Sequence, residues 1–244
     1  MISPMLLAAD VGGTKTLIGL YRPAGARPAP VATRVYATLD FSTLGQIVEV
    51  FLDEVERPQV DAICAGVAGP VRGLVAGLTN GDWSADLGEI SRSLGGCPAA
   101  LLNDLESMAY SVSVLESEEL LILQAGESNP HGNAALIAAG TGLNASHIQR
   151  VDGRLVPSPS EMGHADFAAR TPRELQFVEG FAREHGRVAA EDVLSGPGIV
   201  NLFRFTHRDR DGSACPVRRA DREGERDLAA GVTGTAMAGQ CQDC

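Results

Sequence analysis

A turn that can hold phosphate stands near the start of the chain. In Asp10-Val-Gly-Gly-Thr-Lys15, Gly12 and Gly13 remove the side chains that would keep a ligand from the backbone, so successive N–H groups can converge on a phosphate. Thr14 adds a hydroxyl donor and Lys15 a positive charge, while Asp10, at the end of an apolar run, is placed to hold a hydrated Mg2+ beside that phosphate. The Gly-Lys-[Ser/Thr] of a P-loop, followed by a helix, is absent. The same residues also suit an ordinary hairpin turn, and that reading stays open. Gly140-Thr141-Gly142 repeats the device after a second apolar run, and two such turns can grip one polyphosphate between them.

Leu101-Leu102-Asn103-Asp104 places an amide and a carboxylate where a buried strand is expected to meet a helix. A carboxylate there can accept a proton from a substrate hydroxyl, a task worth ~10²–10⁴-fold in rate. Asn and Asp are equally favoured as helix N-caps, so a purely structural role competes. Ser160-Glu161-Met162-Gly163-His164 sits in a Pro/Ser-rich loop and Glu191 opens a later helix. No second His or Cys stands nearby to complete a metal site, so hydrogen bonding to a polyol competes with a plain surface loop and a capping Glu. Cys241 and Cys244 form a C-x-x-C at the end of the chain. Zinc would need two more ligands and a redox motif a following helix; with no room after residue 244, both are discounted.

The elements that position these residues read as α/β. Met5 to Asp10 and Thr16 to Tyr21 form a hairpin, and Val31 to Ala37 a third strand. Ile47, Val50, Phe51 and Val55 recur at helical spacing. Val60 to Val67 is a strand, followed by a short hairpin in VRGLVAGLTNGDW and a helix around Ala85 to Leu94. Further strands are expected at Ala99 to Leu102, Leu120 to Gln124, Ala134 to Ala139 and Ala145 to Val151. Helices are expected over LESMAYSVSVL, Pro172 to His185 and Gly198 to Phe205. The charge-dense stretch after Phe205 reads as a solvated, partly disordered segment.

Composition bounds the partners. The 244 residues are 44% hydrophobic and carry a formal charge of -11, so nucleic acid and anionic lipid are repelled and phosphate must be met locally. Lys15 is the only lysine. No run of about 18 apolar residues exists to span a membrane. Five scattered cysteines and an N-terminus without a secretory signal indicate a cytoplasmic protein with reduced thiols.

Taken in order, Asp10-x-Gly-Gly-Thr-Lys15, Ala68-Gly69-Pro70-Val71, Thr79-Asn80-x-x-Trp83, Asn103-Asp104, Gly140-Thr141-Gly142-Leu143, Glu161-x-Gly163-His164-x-Asp166-Phe167 and Glu191-x-Val193-Leu194-Ser195-Gly196-Pro197-Gly198 resemble the bacterial ATP-dependent glucokinases. The resemblance runs from about Leu6 to Phe203. It implies the hexokinase/actin-like (ribonuclease H-like) α/β fold, with two domains around a cleft, divided as 1–112 and 113–244, the second incomplete. It implies transfer of the γ-phosphoryl group of ATP to the 6-hydroxyl of glucose, giving glucose 6-phosphate at the entry to glycolysis. Asp104 is then the base, and Asn103, Glu161, His164, Glu191 and Asn80 are sugar ligands. Asp10 to Lys15 and Gly140 to Gly142 are the two phosphate turns, with Asp10 facing Mg2+.

Three departures from the family pattern stand out. Met162 and Asn144 each replace a glycine, and Met162 puts a side chain between two sugar ligands. Family members also continue past a cysteine pair like Cys241-x-x-Cys244 into a segment that cradles the adenosine and a final helix that packs on the first domain. Without that helix an apolar face of the first sheet is expected to be uncovered, which implies fragile folding and leaves a homodimer open. A sugar-binding or regulatory remnant without kinase activity, or a kinase for another sugar or phosphoryl donor, are the alternatives. A DNA-binding repressor of the same fold is disfavoured by the charge.

Overall fold

The computed structural model describes residues 4–77, 83–127, 129, 131–208, 215–223, 228–238 and 241. The chain divides into two compact units, residues 1–134 with 146–159, and residues 135–145 with 160–244.

The first unit is built on β1 (Leu6–Val11), β2 (Lys15–Arg22), β3 (Ala29–Ala37), α1 (Leu44–Glu54), β4 (Ala62–Val67), β5 (Val71–Arg72), β6 (Val75–Gly77), β7 (Ser84–Asp86), α2 (Leu87–Ser93), β8 (Ala99–Asn103) and α3 (Asp104–Ser111). Five strands form one sheet in the order β3-β2-β1-β4-β8. The hairpins β1/β2 and β2/β3 are antiparallel, whereas β1/β4 and β4/β8 are parallel. Alternation sends Leu7 and Val11 of β1 and Ile63, Ala65 and Val67 of β4 into one core with Ile47, Phe51 and Leu52 of α1. Each of the larger side chains, fully buried, contributes roughly 1.5–3 kcal/mol. Thr43 caps α1 by accepting from the Gln46 N–H. The buried stripe of this helix is Leu44, Ile47, Val48, Phe51 and Leu52, while Val50 points outward and Val55 is the C-cap. Of the residues expected at helical spacing, Ile47 and Phe51 lie on this stripe and Val55 packs against the same core, whereas Val50 does not.

The opposite sheet face is partly covered. Gly66 lets α3 approach closely, because a Cβ there would lie 2.5 Å from Ser107 Oγ. Beyond it, an open apolar groove of about 530 Å³ runs over Leu6, Ala8, Tyr21, Cys64 and Ala100.

The chain continues through β9 (Ala134–Ala139), β10 (Leu143–Val151) and β11 (Arg154–Pro159). Within the first unit β10 and β11 pair antiparallel from Ser146–Pro159 to Val151–Arg154. The second unit contains α4 (Pro172–His185), α5 (Gly196–Thr206), α6 (Pro216–Glu223) and α7 (Leu228–Met237). Thr171 caps α4, Pro172 opens it, and Gly186 ends it at φ +86°. Helix α5 serves two small cores: Leu202 and Phe205 join Phe177, Val188 and Val193, while Phe203 joins Cys215, Val217, Leu228 and Val232.

Four expectations change. Leu120 to Gln124 is not a strand, and Leu121, Ile122 and Leu123 are exposed; a short apolar run becomes a strand only where another strand offers a ladder. Ala85 lies in β7 and not in α2. The segment after Phe205 carries α6, whose apolar side includes the buried Val217, so charge density concealed a one-sided helix. The division expected after residue 112 falls inside the first unit: Glu119 is tied back by Arg27 at 2.8 Å, and β11 belongs with α3 in that unit.

Candidate active site

In the first unit, the candidate groups gather at the carboxyl ends of parallel strands, where ligands bind in open α/β sheets. Asp10 is paired with Gly66 across β1/β4, and Val67 with Asn103 across β4/β8. The glycine between them contributes no side chain, so Asp10 feels the charge of Asp104. Asp10 keeps solvent access, yet loss of part of its hydration, and then the Asp104 carboxylate, hold its carboxyl above the ordinary carboxylate range.

Asn103 is the N-cap of α3. Its Oδ1 accepts from the Leu105 N–H at 3.0 Å, and its Nδ2 donates to the Gly69 carbonyl at 3.2 Å. The capping role weighed from sequence is therefore present. It also positions the next residue, Asp104, exposed in the first helical turn with Oδ1 accepting from the Leu105 N–H at 2.8 Å. The Asp10–Lys15 turn is fixed from inside. The Gly12 N–H donates to the Lys15 carbonyl at 2.9 Å, and Thr38 Oγ1 donates to the Gly12 carbonyl at 2.9 Å. Gly12 thus shapes the turn, while Gly13 has nothing within 4 Å of a Cβ position and leaves open space beside Thr14 and Lys15.

In the second unit the groups sit on turns. Two single-turn 3-10 segments, Met162–His164 and Ala190–Asp192, are joined by backbone bonds from the Phe167 N–H to the Val188 carbonyl and the Ala190 N–H to the Ala165 carbonyl, 2.9 and 2.8 Å. This places His164 Nδ1 3.1 Å from Glu191 Oε1, so a proton on Nδ1 is donated to that carboxylate. Glu161 Oε2 is 3.9 Å from Nε2, beyond hydrogen-bond reach, and its side chain is free to turn toward a ligand. Gly163 is required here: a Cβ would lie 1.7 Å from the Leu143 carbonyl oxygen.

The Gly140–Gly142 turn belongs to the same construction. The Gly140 N–H donates to the Gly142 carbonyl and the Gly196 N–H to the Gly140 carbonyl, both at 2.8 Å. A Cβ on Gly142 would stand 3.0 Å from Glu191 Oε2, so this glycine makes room for the carboxylate. Thr141 is exposed at the tip.

The structure thus brings Asp10, Asn103 and Asp104 together in one unit, and Glu161, His164, Glu191 and Gly142 in the other. Asn80 lies outside the described residues. Three supporting groups had been given no role of their own in the sequence. Thr38 holds the first turn. Ser195 caps α5 and donates to the Glu191 carbonyl at 2.6 Å, a role that Ser before Gly-Pro-Gly signals. Arg187 donates to the His164 carbonyl and pairs with Asp166 at 3.0 Å. The two departures from the family pattern meet: Asn144 Oδ1 accepts from the Met162 N–H at 3.1 Å.

Among the described residues no helix is long and apolar enough to cross a membrane. A family model described as Glucokinase matches residues 7–244. A glucokinase of Salmonella arizonae is 33% identical over 238 residues, 98% of this chain and 70% of its own length. The crystal structure of a glucokinase from an Antarctic psychrotroph superposes with a TM-score of 0.78 at 25% identity, over 94% of this chain and 74% of that one. A glucokinase from Balamuthia mandrillaris in complex with glucose shares the fold, with a TM-score of 0.64 at 19% identity over 95% of this chain and 72% of that one. The α/β architecture is accordingly the hexokinase/actin-like fold expected from the motifs, and the chain belongs to the glucokinase family.

Proposed function

We propose that this chain transfers the γ-phosphoryl group of ATP to the 6-hydroxyl of glucose, with Asp104 as the base. The observation that carries this reading is the exposed Asp104 carboxylate, set by the Asn103 cap at the end of a parallel strand and beside Asp10. Asp104 takes the proton of the 6-hydroxyl as its oxygen attacks the γ-phosphorus. The O6–P bond forms, the bond from the γ-phosphorus to the β,γ-bridging oxygen breaks, and ADP leaves. Such a transfer needs positioning and charge stabilisation more than covalent chemistry.

Glu161, His164, Glu191 and Asn103 act as ligands of the sugar hydroxyls, and Asn80 belongs to the same set by its place in the motif. For Asn103 the available group is the second N–H of its amide, since the first holds Gly69. An analogue lacking a hydroxyl would leave one of these groups unpaired, at ~1–3 kcal/mol. Gly13, Thr14 and Lys15 on one turn, shaped by Gly12, and Gly140, Thr141 and Gly142 on the other, meet the phosphates of ATP. The oxygen donors suit Mg2+, because the Asp10 and Asp104 carboxylates, at the ends of β1 and β8 on either side of β4, carry crowded negative charge that a hard divalent ion relieves. Asp10 would hold the ion, which would neutralise charge on the β- and γ-phosphates. The reaction belongs to the cytoplasm in the same reading, in keeping with the free thiols of Cys64 and Cys97. A homodimer is part of the same reading, and sedimentation of the purified chain tests it.

The main test is production of glucose 6-phosphate from glucose and Mg-ATP by the purified chain. Asp104→Asn should lower kcat by ~10²–10⁴-fold. No product from the folded wild-type chain at saturating substrates overturns the proposal.

A further inference from the structure

We propose that His207, Cys215 and Cys241 form a binding site for Zn2+, or a cation of the same thiophilic, tetrahedral class, that ties the helices of the second unit together. The ligand atoms of the three side chains all lie within 4.8 Å of one another, with His207 and Cys215 buried and Cys241 partly so. They come from three places in the chain: His207 is the C-cap of α5, Cys215 precedes α6, and Cys241 follows α7.

The detailed geometry favours a metal over three side chains packed by chance. A tetrahedral ion with Zn–S near 2.3 Å and Zn–N near 2.0–2.1 Å has S···N edges of about 3.5 Å. His207 Nε2 stands 3.4 Å from Cys241 Sγ. His207 Nδ1 is 2.9 Å from the Phe203 carbonyl and 3.0 Å from Thr206 Oγ1. With its proton on Nδ1 directed at the carbonyl, the ring presents the Nε2 lone pair to the thiols, the outer-shell arrangement that orients metal-binding histidines. The ring also stacks on Phe203, centroids 4.2 Å apart, which fixes its plane. Phe203, Val217, Leu228 and Val232 surround the cluster with apolar side chains. Two thiolates and one neutral imidazole around a divalent ion sum to zero charge, which suits such surroundings. The fourth position falls to water, as an open tetrahedral site allows. The discounted zinc site is thereby reopened: the missing ligands stand upstream of Cys241.

The test is Zn2+ binding by the full chain under a non-chelating reductant, followed by calorimetry and elemental analysis, with Co2+ as spectroscopic probe. This readout does not depend on kinase activity. One ion per chain is expected, with a thiolate-to-Co2+ charge-transfer band and a raised melting temperature. Cys215→Ser and Cys241→Ser should each weaken binding by at least 10-fold and diminish that band, while Cys64→Ser, at an exposed thiol of the first unit, should leave both unchanged. Folding of each variant is checked by circular dichroism, and the wild-type titration stands without them. No Zn2+ bound by the reduced wild-type chain, binding unaffected by Cys215→Ser, or a Cys215–Cys241 disulfide in freshly purified protein overturns the proposal.

Discussion

The two units hold their candidate residues by different means. In the first, a single core runs from Leu7 of β1 through α1 to Leu101 of β8, and the carboxylates stand at the ends of strands that this core fixes. In the second, two small clusters share α5, and Glu161, His164 and Glu191 stand on turns held by close glycine approaches and side-chain caps. The difference separates labour. On the proposed function, the group that must be aligned with a reacting bond sits on a rigid element, and the groups proposed to recognise the hydroxyls sit on turns whose shape depends on a few hydrogen bonds.

Paired substitutions test that separation most strongly. Asp104→Asn, on the rigid side, should act on the chemical step, with kcat falling ~10²–10⁴-fold and glucose affinity nearly kept. Glu191→Gln, on the turn side, weakens charged hydrogen bonds and should raise the KM for glucose by ~10–100-fold, from 1.5–3 kcal/mol. Steady-state kinetics of both variants decide the matter. A kcat defect in Glu191→Gln as large as that in Asp104→Asn would remove the distinction.

Stability should follow the same line. Phe51 is fully buried in the continuous core, so Phe51→Ala leaves a cavity that its neighbours cannot fill and should cost ~3–5 kcal/mol. Phe177 packs against Phe181 and Phe205 at ring distances of 5.5 and 5.4 Å in a much smaller cluster. That cluster can collapse more readily, so Phe177→Ala should fall at or below the lower end of the same range, about 3 kcal/mol. Urea unfolding of the two variants gives the comparison, and equal losses would show the second unit to be as tightly packed as the first.

The same contrast explains what could be read from the sequence. The Asp10–Lys15 hairpin and the Asn103–Asp104 strand end are local: an apolar run, a glycine turn and a capping residue suffice to place them. The approach of His164 to Glu191 is not local, since it depends on backbone bonds between segments 163–167 and 188–190, and only the order of family motifs suggested it. Helix α6 was hidden because its apolar residues, Val217 and Ala220, are few among many charges. His207, Cys215 and Cys241 escaped notice for a related reason. No ligand spacing extends from the C-x-x-C in the sequence, whereas the helices of the second unit bring His207 and Cys215 to Cys241 from upstream. Counting His and Cys residues on either side of that motif would have found them.

A smaller effect concerns the carboxylate pair of the first unit. Asp10 has its carboxyl raised by burial and by Asp104, so its proton binds more tightly in the folded chain than in the unfolded one. That contribution to stability is fully present below the ordinary Asp value, ~3.9, and is lost as pH rises through the higher folded value. Asp10→Asn carries no such loss. Without nucleotide or Mg2+, its melting temperature relative to wild type should therefore climb between about pH 4 and neutrality, although the variant should be catalytically impaired. A constant difference across that pH range would show that the two carboxylates do not repel in the native state.

The smallest effect tests whether the turn side has adjusted to its own departures from the family pattern. Asn144 Oδ1 accepts from the Met162 N–H, so the residue replacing one glycine holds the backbone of the residue replacing the other. Asn144→Gly removes that acceptor at a cost of ~1 kcal/mol, about a fivefold rise in the KM for glucose through the displaced Glu161 and His164. Met162→Gly alone removes a half-exposed side chain but leaves the bond from residue 162 to Asn144 available. If the two positions act as one device, the double variant should resemble Asn144→Gly and not the sum of the two single changes. Additive changes in KM would mean that Asn144 and Met162 shape the sugar site independently.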